Sequence, residues 1–284
     1  MSDTAIARIG FAYNPTNEAA VELRARALGW AAGRGLTHWD ARAGDHEALR
    51  RHLPGTDVLA VLGGDGTFLR AAREVADIDV PLLGINVGKV GFLSKVEAAD
   101  LVPVLERIRA GEFTIEERMG LEGRIIRAGG ERRPERHVAL NDVVIARGSL
   151  ARVVRMDVSI DDSHLATYVA DGLVVASPTG STGYSFSAGG PILDPTARNL
   201  IVTPIAGYLT TIRSVVVGPS VVVRCRVTDA HEALVSVDGR EDVRIAVGDL
   251  VEIRALARPI RLVQPHGSLP FWDLLRTKVE LLPS

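Results

Sequence analysis

Apolar positions in the first 116 residues alternate between short continuous runs and stretches of helical spacing. Residues 7–13, ARIGFAY, predict a strand, and Val21, Leu23, Ala27, Leu28 and Ala31 then recur at mostly helical spacing, which predicts a helix over about 18–34. DVLAVLGG (57–64) is apolar without interruption up to a glycine pair, as in a parallel strand buried on both faces. TFLRAAREVAD follows as a helix with Thr67 placed to cap it. PLLGINV (81–87) predicts another strand, and EAADLVPVLERIRAGEF a helix ending near Gly111. Strand and helix in alternation imply a parallel sheet covered on both faces.

Beyond residue 117 the period changes. LEGRIIRAGG, HVALNDVVIARG, the 152–178 stretch, SVVVRCRV, HEALVSVDGREDVRIAV and DLVEIRALARPIRLVQ are short β-rich runs broken by turn residues, with Asp238-Gly239 as a hairpin turn. Asp161-Asp162-Ser163 reads as a second hairpin turn. The patterning therefore divides the chain into an α/β domain over 1–116 and an all-β domain over 117–269. FWDLLRTKVEL is helical again and is expected to return to the first domain, as part of 270–284.

Composition narrows the classes of partner. Lys and Arg number 33 against 35 Asp and Glu, a net charge of -2, which supplies no broad drive toward nucleic acid or anionic lipid. Phosphate binding, if present, must be local. Cys225 is the only cysteine and sits in an alternating strand pattern, so an internal disulfide is excluded. The seven histidines are scattered without ligand spacing, and no dedicated metal site is expected. No apolar run reaches the ~18 residues of a membrane helix, and the N-terminus lacks a leader pattern, so a soluble, cytoplasmic protein is expected.

Three segments carry candidate chemistry. The first is LGGDGT (62–67), an apolar strand, a glycine turn and a helix start whose free N–H groups favour an anion. It lacks the Lys of a P-loop and the spacing of a dinucleotide fingerprint. Asp65 in its middle would repel a phosphate charge by about 4 kcal/mol at ~4 Å and an effective dielectric of ~20. A turn or cap residue is one reading; a general base that takes the proton of an attacking alcohol is the other. The second segment, DGLVVASPTGSTGYSFSAGGPI (171–192), interleaves glycines with hydroxyl side chains between Pro178 and Pro191 and adds the Tyr184 ring, a fixed surface of donors for a polar ligand. In the third, ALNDVVIARG (139–148), Asn141-Asp142 interrupts an apolar strand, as a bulge or strand start or as a pair that recognises a ribose diol and an adenine edge.

GGDGTFLRAAR, GINVGKVGFL, ALNDVVIARG and the 171–192 segment, in this order, resemble the bacterial NAD kinases over nearly the whole chain, FWDLLRTKVEL included. GGDGT alone is shared with diacylglycerol, sphingosine and phosphofructo-type kinases; the long SPTGST segment is the specific one. The resemblance implies a Rossmann-like α/β domain and a β-sandwich NAD-binding domain, with a site that draws on both. It implies transfer of a phosphoryl group from ATP or inorganic polyphosphate, with Mg²⁺ accompanying the donor, to the 2'-hydroxyl of the adenosine ribose of NAD. Asp65 matches the catalytic base, and Gly63, Gly64, Gly66 and Thr67 the phosphate-side loop. Asn141 and Asp142 match the adenosine-holding pair, and Phe92 the adenine pocket. Asp171, Thr182, Gly183, Tyr184, Ser185, Phe186 and Ser187 match the nicotinamide half, Thr179 counts among the nucleotide-binding residues, and Arg70 and Arg152 stand where ligand contacts occur. A homodimer or homotetramer is implied. The chain has Asp142 where the family usually has Glu, Gly183 where it has Ala, Ala206-Gly207-Tyr208 where many members have Pro-His after TPI, and Val169 at an often basic position; these bear on NAD against NADH. A non-catalytic dinucleotide sensor and a lipid kinase are the alternative functions.

Overall fold

The computed structural model describes residues 6–88, 91–130, 133–149, 152–207, 212–230 and 232–280, with the backbone alone at 241, 242, 279 and 280. Lys89 and Val90 of the GINVGKVGFL segment, Tyr208 and His231 lie outside the described residues. The chain forms two compact units, Met1–Glu117 with Ile260–Ser284, and Arg118–Pro259.

In the first unit the alternation becomes β1 (Arg8–Tyr13), α1 (Glu18–Gly33), β2 (Thr37–Arg42), α2 (His46–His52), β3 (Val58–Leu62), α3 (Asp65–Val75), β4 (Leu82–Asn86), β5 (Val96–Glu97), α4 (Leu101–Arg109) and β6 (Phe113–Arg118). Their sheet runs β2, β1, β3, β4, then Ile260–Pro265, then β6, with β5 also on β4. Pairing from β2 to β4 is parallel, and every residue of β3 and β4 is buried, as continuous apolar runs require. Since β2 lies on one side of β1 and β3 on the other, strand order reverses at β1 and β3, and open α/β sheets bind ligands beyond the strand ends at such a point.

α1 starts where Asn17 accepts the Ala20 N–H on its side chain at 3.1 Å. It buries Ala20, Leu23, Ala27, Trp30 and Ala31, whereas Val21, counted on the apolar face from spacing, is 39% exposed. The Ile260–Pro265 strand departs from the sequence reading, which placed it with the second domain: it pairs parallel to β4 through Leu262 and Leu82 and belongs to the first unit. The closing helix, Phe271–Glu280, also belongs to this unit, its Phe271 ring 5.9 Å from that of Phe92.

The second unit contains β7 (Leu121–Ile126), β8 (Glu135–Ala139), β9 (Asp142–Arg147), β10 (Val154–Ile160), β11 (Ser163–Ala170), β12 (Gly172–Ala176), β13 (Leu200–Ile205), β14 (Val215–Val217), β15 (Val222–Asp229), β16 (Ala233–Val237), β17 (Arg240–Ile245) and β18 (Leu250–Ala255). They form two antiparallel sheets, ordered β11-β10-β15-β18-β7-β8 and β14-β13-β12-β9-β16-β17. Met156, Val158, Cys225 and Val251 of one meet Val143, Ile145, Leu173 and Val175 of the other in a single core, which makes the unit a sandwich. Asp161 takes a left-handed φ of 51° in the expected β10–β11 turn. On β12 the alternate residues Val174 and Ala176 face away from that core and pack with Val144 and Ile201, against Ala188 and Leu193.

Candidate functional site

In the first unit, α3 begins at Asp65 with Gly64 as an extended N-cap and no side chain capping it. Thr67, expected as the cap, instead lies within the first turn, where its backbone N–H donates to the Gly64 carbonyl at 2.8 Å. It is buried against the preceding turn: a Cβ on Gly63 would stand 2.6 Å from Thr67 Oγ1, so glycine lets the strand-to-helix turn close.

Asp65 answers the question of an acid in a glycine turn. Its carboxylate accepts three successive backbone N–H groups, Phe92 at 2.9 Å on Oδ2 and Leu93 and Ser94 at 3.1 Å each on Oδ1. A Cβ on Gly91 would overlap this carboxylate, so the second turn can wrap Asp65 only because residue 91 is glycine. Hydrogen bonds to a charged group contribute about 1.5–3 kcal/mol each. A carboxylate has about four lone-pair sites, so Oδ2, with one donor, keeps one for a ligand hydroxyl.

Around this pair of turns two further polar groups point inward. Asn86 Nδ2, at the end of β4, and Ser94 Oγ are buried without a hydrogen-bond partner among the described residues. Neither was singled out from sequence. Phe92 is half-buried, and the Lys278 ammonium lies 5.1 Å from its ring centroid. Arg70 projects from α3 one turn after Gly66, its Cδ 3.8 Å from where a Cβ on Gly44 would be. No hydrogen bond or ion pair joins it to Asp65 among the described residues, but it stands on the same helix.

In the second unit the 171–192 segment folds as a 3-10 turn over Thr179–Thr182 followed by a short helix, Tyr184–Ser187. Its hydroxyls serve mainly the protein. Ser177 Oγ donates to the Leu140 carbonyl at 2.5 Å and accepts the Gly180 N–H at 3.2 Å. Ser181 Oγ donates to Pro178 O and accepts the Leu193 N–H at 3.1 Å. Thr179 and Ser185, both expected at the ligand, are buried, and Thr179 Oγ1 accepts from the buried Arg118 guanidinium at 3.2 Å. A Cβ on Gly180 would overlap the Asn141 carbonyl, so glycine lets this turn lie directly on the Asn141-Asp142 backbone.

Gly183 is thereby brought to Asn141 and Asp142: a Cβ there would lie 3.9 Å from both Asn141 Nδ2 and Asp142 Oδ2. Thr182 and Gly183 are half-buried, while Tyr184, Phe186 and Ser187 are exposed. Asp171 is not a bare carboxylate. Arg147 grips it at two points, Nε to Oδ1 at 2.7 Å and Nη2 to Oδ2 at 3.3 Å. Arg152 is exposed, and no described residue pairs with it.

The strand start at Asn141-Asp142 is organised by Asp238, which sequence reading took for a hairpin residue only. From a left-handed φ of 52°, Asp238 accepts the N–H groups of Leu140 at 3.0 Å, Asn141 at 2.7 Å and Asp142 at 3.2 Å. Asp142 itself is 5% exposed, and no described residue donates to its carboxylate. Burial, reinforced by the Asp238 charge, pushes its carboxyl up to about 7. Burial also raises Asp238, against the opposing effect of its three N–H donors. No cluster of three or more His, Cys, Asp or Glu side chains suited to a metal occurs among the described residues.

Residues 35–113 match the ATP-NAD kinase N-terminal domain and residues 140–264 the ATP-NAD kinase C-terminal domain. The chain is 44% identical over 233 residues to an NAD kinase of Heliobacterium modesticaldum, covering 82% of this chain and 81% of that one. It is 38% identical over 281 residues to an NAD kinase of Syntrophotalea carbinolica, covering 96% and 98%. The fold is that of yeast NADH kinase complexed with NADH, at a TM-score of 0.85 and 20% identity over 99% of this chain and 89% of that one. It is also that of an Archaeoglobus fulgidus NAD kinase in complex with ATP, at a TM-score of 0.77 and 22% identity over 97% and 100%.

Two outcomes follow from the carboxylates. Asp65→Asn sets an NH2 against at least one of three N–H donors whichever way the amide turns, so chemical denaturation should show a loss of about 1–3 kcal/mol; an unchanged midpoint would mean the 92–94 turn is held by something else. Asp142 has a folded value, about 7, above its unfolded one of 3.8. It therefore binds a proton on folding, and the unliganded protein loses stability as pH rises between those values, by at most about 4 kcal/mol. Asp142→Asn should flatten that part of the stability profile relative to wild type, and parallel profiles would refute the assignment.

Proposed function

The chain belongs to the NAD kinase family and is an enzyme that phosphorylates NAD; we propose that its acceptor is the 2'-hydroxyl of the adenosine ribose and its donor ATP or inorganic polyphosphate. The observation that carries this reading is the Asp65 carboxylate, fixed by three N–H donors at the start of α3 with a lone pair of Oδ2 left over.

In the proposed reaction the ribose hydroxyl donates to Asp65 Oδ2. As its oxygen bonds to the terminal phosphorus, the proton passes to Asp65, and the bond to the bridging oxygen breaks to release ADP or a shortened polyphosphate. General base catalysis of this kind is worth ~10²–10⁴ in rate. The uncapped N-terminus of α3 favours the donor's negative charge. A divalent cation arriving on the donor phosphates would offset their repulsion with Asp65.

Asn141 and Asp142 are assigned to the adenosine, with Gly183 beside them, and the exposed Tyr184 ring to stacking against a base. A ribose diol brought to Asp142 supplies the donors that its buried carboxylate lacks, so binding should favour the ionised form. Thr179 and Ser185 are assigned a supporting role, and Asp171 acts through the ion pair with Arg147. Arg152, Thr182, Phe186 and Ser187 remain candidate contacts for the nicotinamide half. Homo-oligomeric assembly and a cytoplasmic location accompany this reading; no described helix is long and apolar enough to cross a membrane.

Purified protein given NAD or NADH, Mg²⁺ and either donor should form NADP or NADPH, and absence of turnover with every combination would overturn the reading. Asp65→Asn should lower kcat by at least ~10² with NAD affinity changed by no more than a few fold. Equal loss of affinity and rate would make Asp65 a ligand-holding group instead. Tight NAD binding without turnover would identify a sensor.

A further inference from the structure

In the turn that wraps Asp65, Gly91, Leu93 and Ser94 are buried, whereas Phe92 is half-buried and its ring meets the closing helix, Phe271–Glu280. Two residues of that helix reach it. The Phe271 ring centroid lies 5.9 Å from that of Phe92 at an interplanar angle of 44°, and the Lys278 ammonium stands 5.1 Å from the Phe92 centroid. Both distances suit the attraction of a ring for another ring or for a cation. Phe271, Leu274, Leu275 and Lys278 recur at the spacing of one helix face and are buried or half-buried, while Trp272, Asp273, Arg276 and Thr277 are exposed. Lysine thus holds a place on the packed face that an apolar residue would ordinarily fill.

The main chain of Phe92 carries the consequence. Leu93 and Ser94, whose side chains are buried, both donate to Asp65 Oδ1, whereas the donor on Oδ2, at 2.9 Å, is the N–H of Phe92. The two carboxylate oxygens are therefore held differently. Oδ1 is fixed by the buried part of the turn, and Oδ2 by the residue whose ring the closing helix engages. In the proposed reaction Oδ2 is the oxygen that takes the hydroxyl proton, and an error of about 1 Å in a reacting group can cost ~10²-fold in rate.

We propose that Phe271 and Lys278 are positioning residues for phosphoryl transfer, which orient Asp65 Oδ2 by fixing the Phe92 ring and with it the Phe92 N–H. The proposal rests on the reading of Asp65 as the general base. It is tested by kcat at saturating NAD, with Mg²⁺ and the donor that wild type turns over, for Lys278→Met, Lys278→Arg, Phe271→Leu and Phe271→Tyr, and for Lys278→Met combined with Asp65→Asn. Lys278→Met and Phe271→Leu should each lower kcat about tenfold, as loss of a ring or cation contact does. Lys278→Arg keeps the cation and Phe271→Tyr keeps the ring, so both should stay within about twofold of wild type. Filling of space alone predicts no such rescue, since Met is as long and unbranched as Lys. In the double variant the two losses should not multiply, because both act through the same oxygen. Should Phe271→Leu fail to fold, the Lys278 variants decide. Equal losses in Lys278→Met and Lys278→Arg, or losses that multiply with Asp65→Asn, would overturn the proposal. So would a wild-type kcat in Lys278→Met beside the expected loss in Asp65→Asn, an outcome that leaves Asp65 as the base. Full activity in Asp65→Asn would remove the proposal together with the reading beneath it.

Discussion

Three backbone N–H groups closing on the Asp65 carboxylate are the constraint on which the first unit's chemistry depends. They tie the strand-to-helix turn after β3 to the 91–94 turn that follows β4, and so fix the acid relative to the helix N-terminus. Two glycines nearby have a steric task within that arrangement. Gly63 admits Thr67, and Gly91 admits the carboxylate. A side chain held by three donors has little freedom to turn, so whatever proton it accepts must be brought to it, a preorganisation that spares reorganisation during reaction.

The second unit repeats the device with different consequences. Asp238 gathers the N–H groups of Leu140, Asn141 and Asp142, as Asp65 gathers those of Phe92, Leu93 and Ser94. Here the organised product is not the gathering carboxylate but its neighbour, Asp142, left buried and without a described donor. A group kept in this state is destabilising until a ligand meets it. The raised Asp142 value is the thermodynamic trace of that, and it places the cost of preorganisation on the unliganded protein.

Much of this was legible in the sequence, and the rest failed for identifiable reasons. The alternation of apolar runs with helical spacing located β1, α1, β3, α3 and β4, since buried parallel strands and amphipathic helices leave different periods. The same logic could not place Ile260–Pro265, because a strand reads alike whether it joins a parallel or an antiparallel sheet. β2 and α2 escaped notice: THWDAR is mixed in polarity, and α2 spans only seven residues. GGDGT announced a special turn, but the partners of Asp65 lie 27 to 29 residues away and donate from the backbone, which carries no residue signature. In the 171–192 segment the abundance of hydroxyls read as a surface of ligand donors, whereas Ser177 and Ser181 bond to the protein's own backbone. Asp171 was matched to the nicotinamide half by resemblance, and its ion pair with Arg147, 24 residues upstream, left no mark in the local sequence.

A crystal structure of the chain with NAD bound examines the central claim most directly. The account requires the adenosine 2'-hydroxyl within about 3 Å of Asp65 Oδ2, with the N–H groups of residues 92–94 still on that carboxylate. An Asp65 side chain turned away from the ribose, or a 2'-hydroxyl hydrogen-bonded only to other groups, would contradict it.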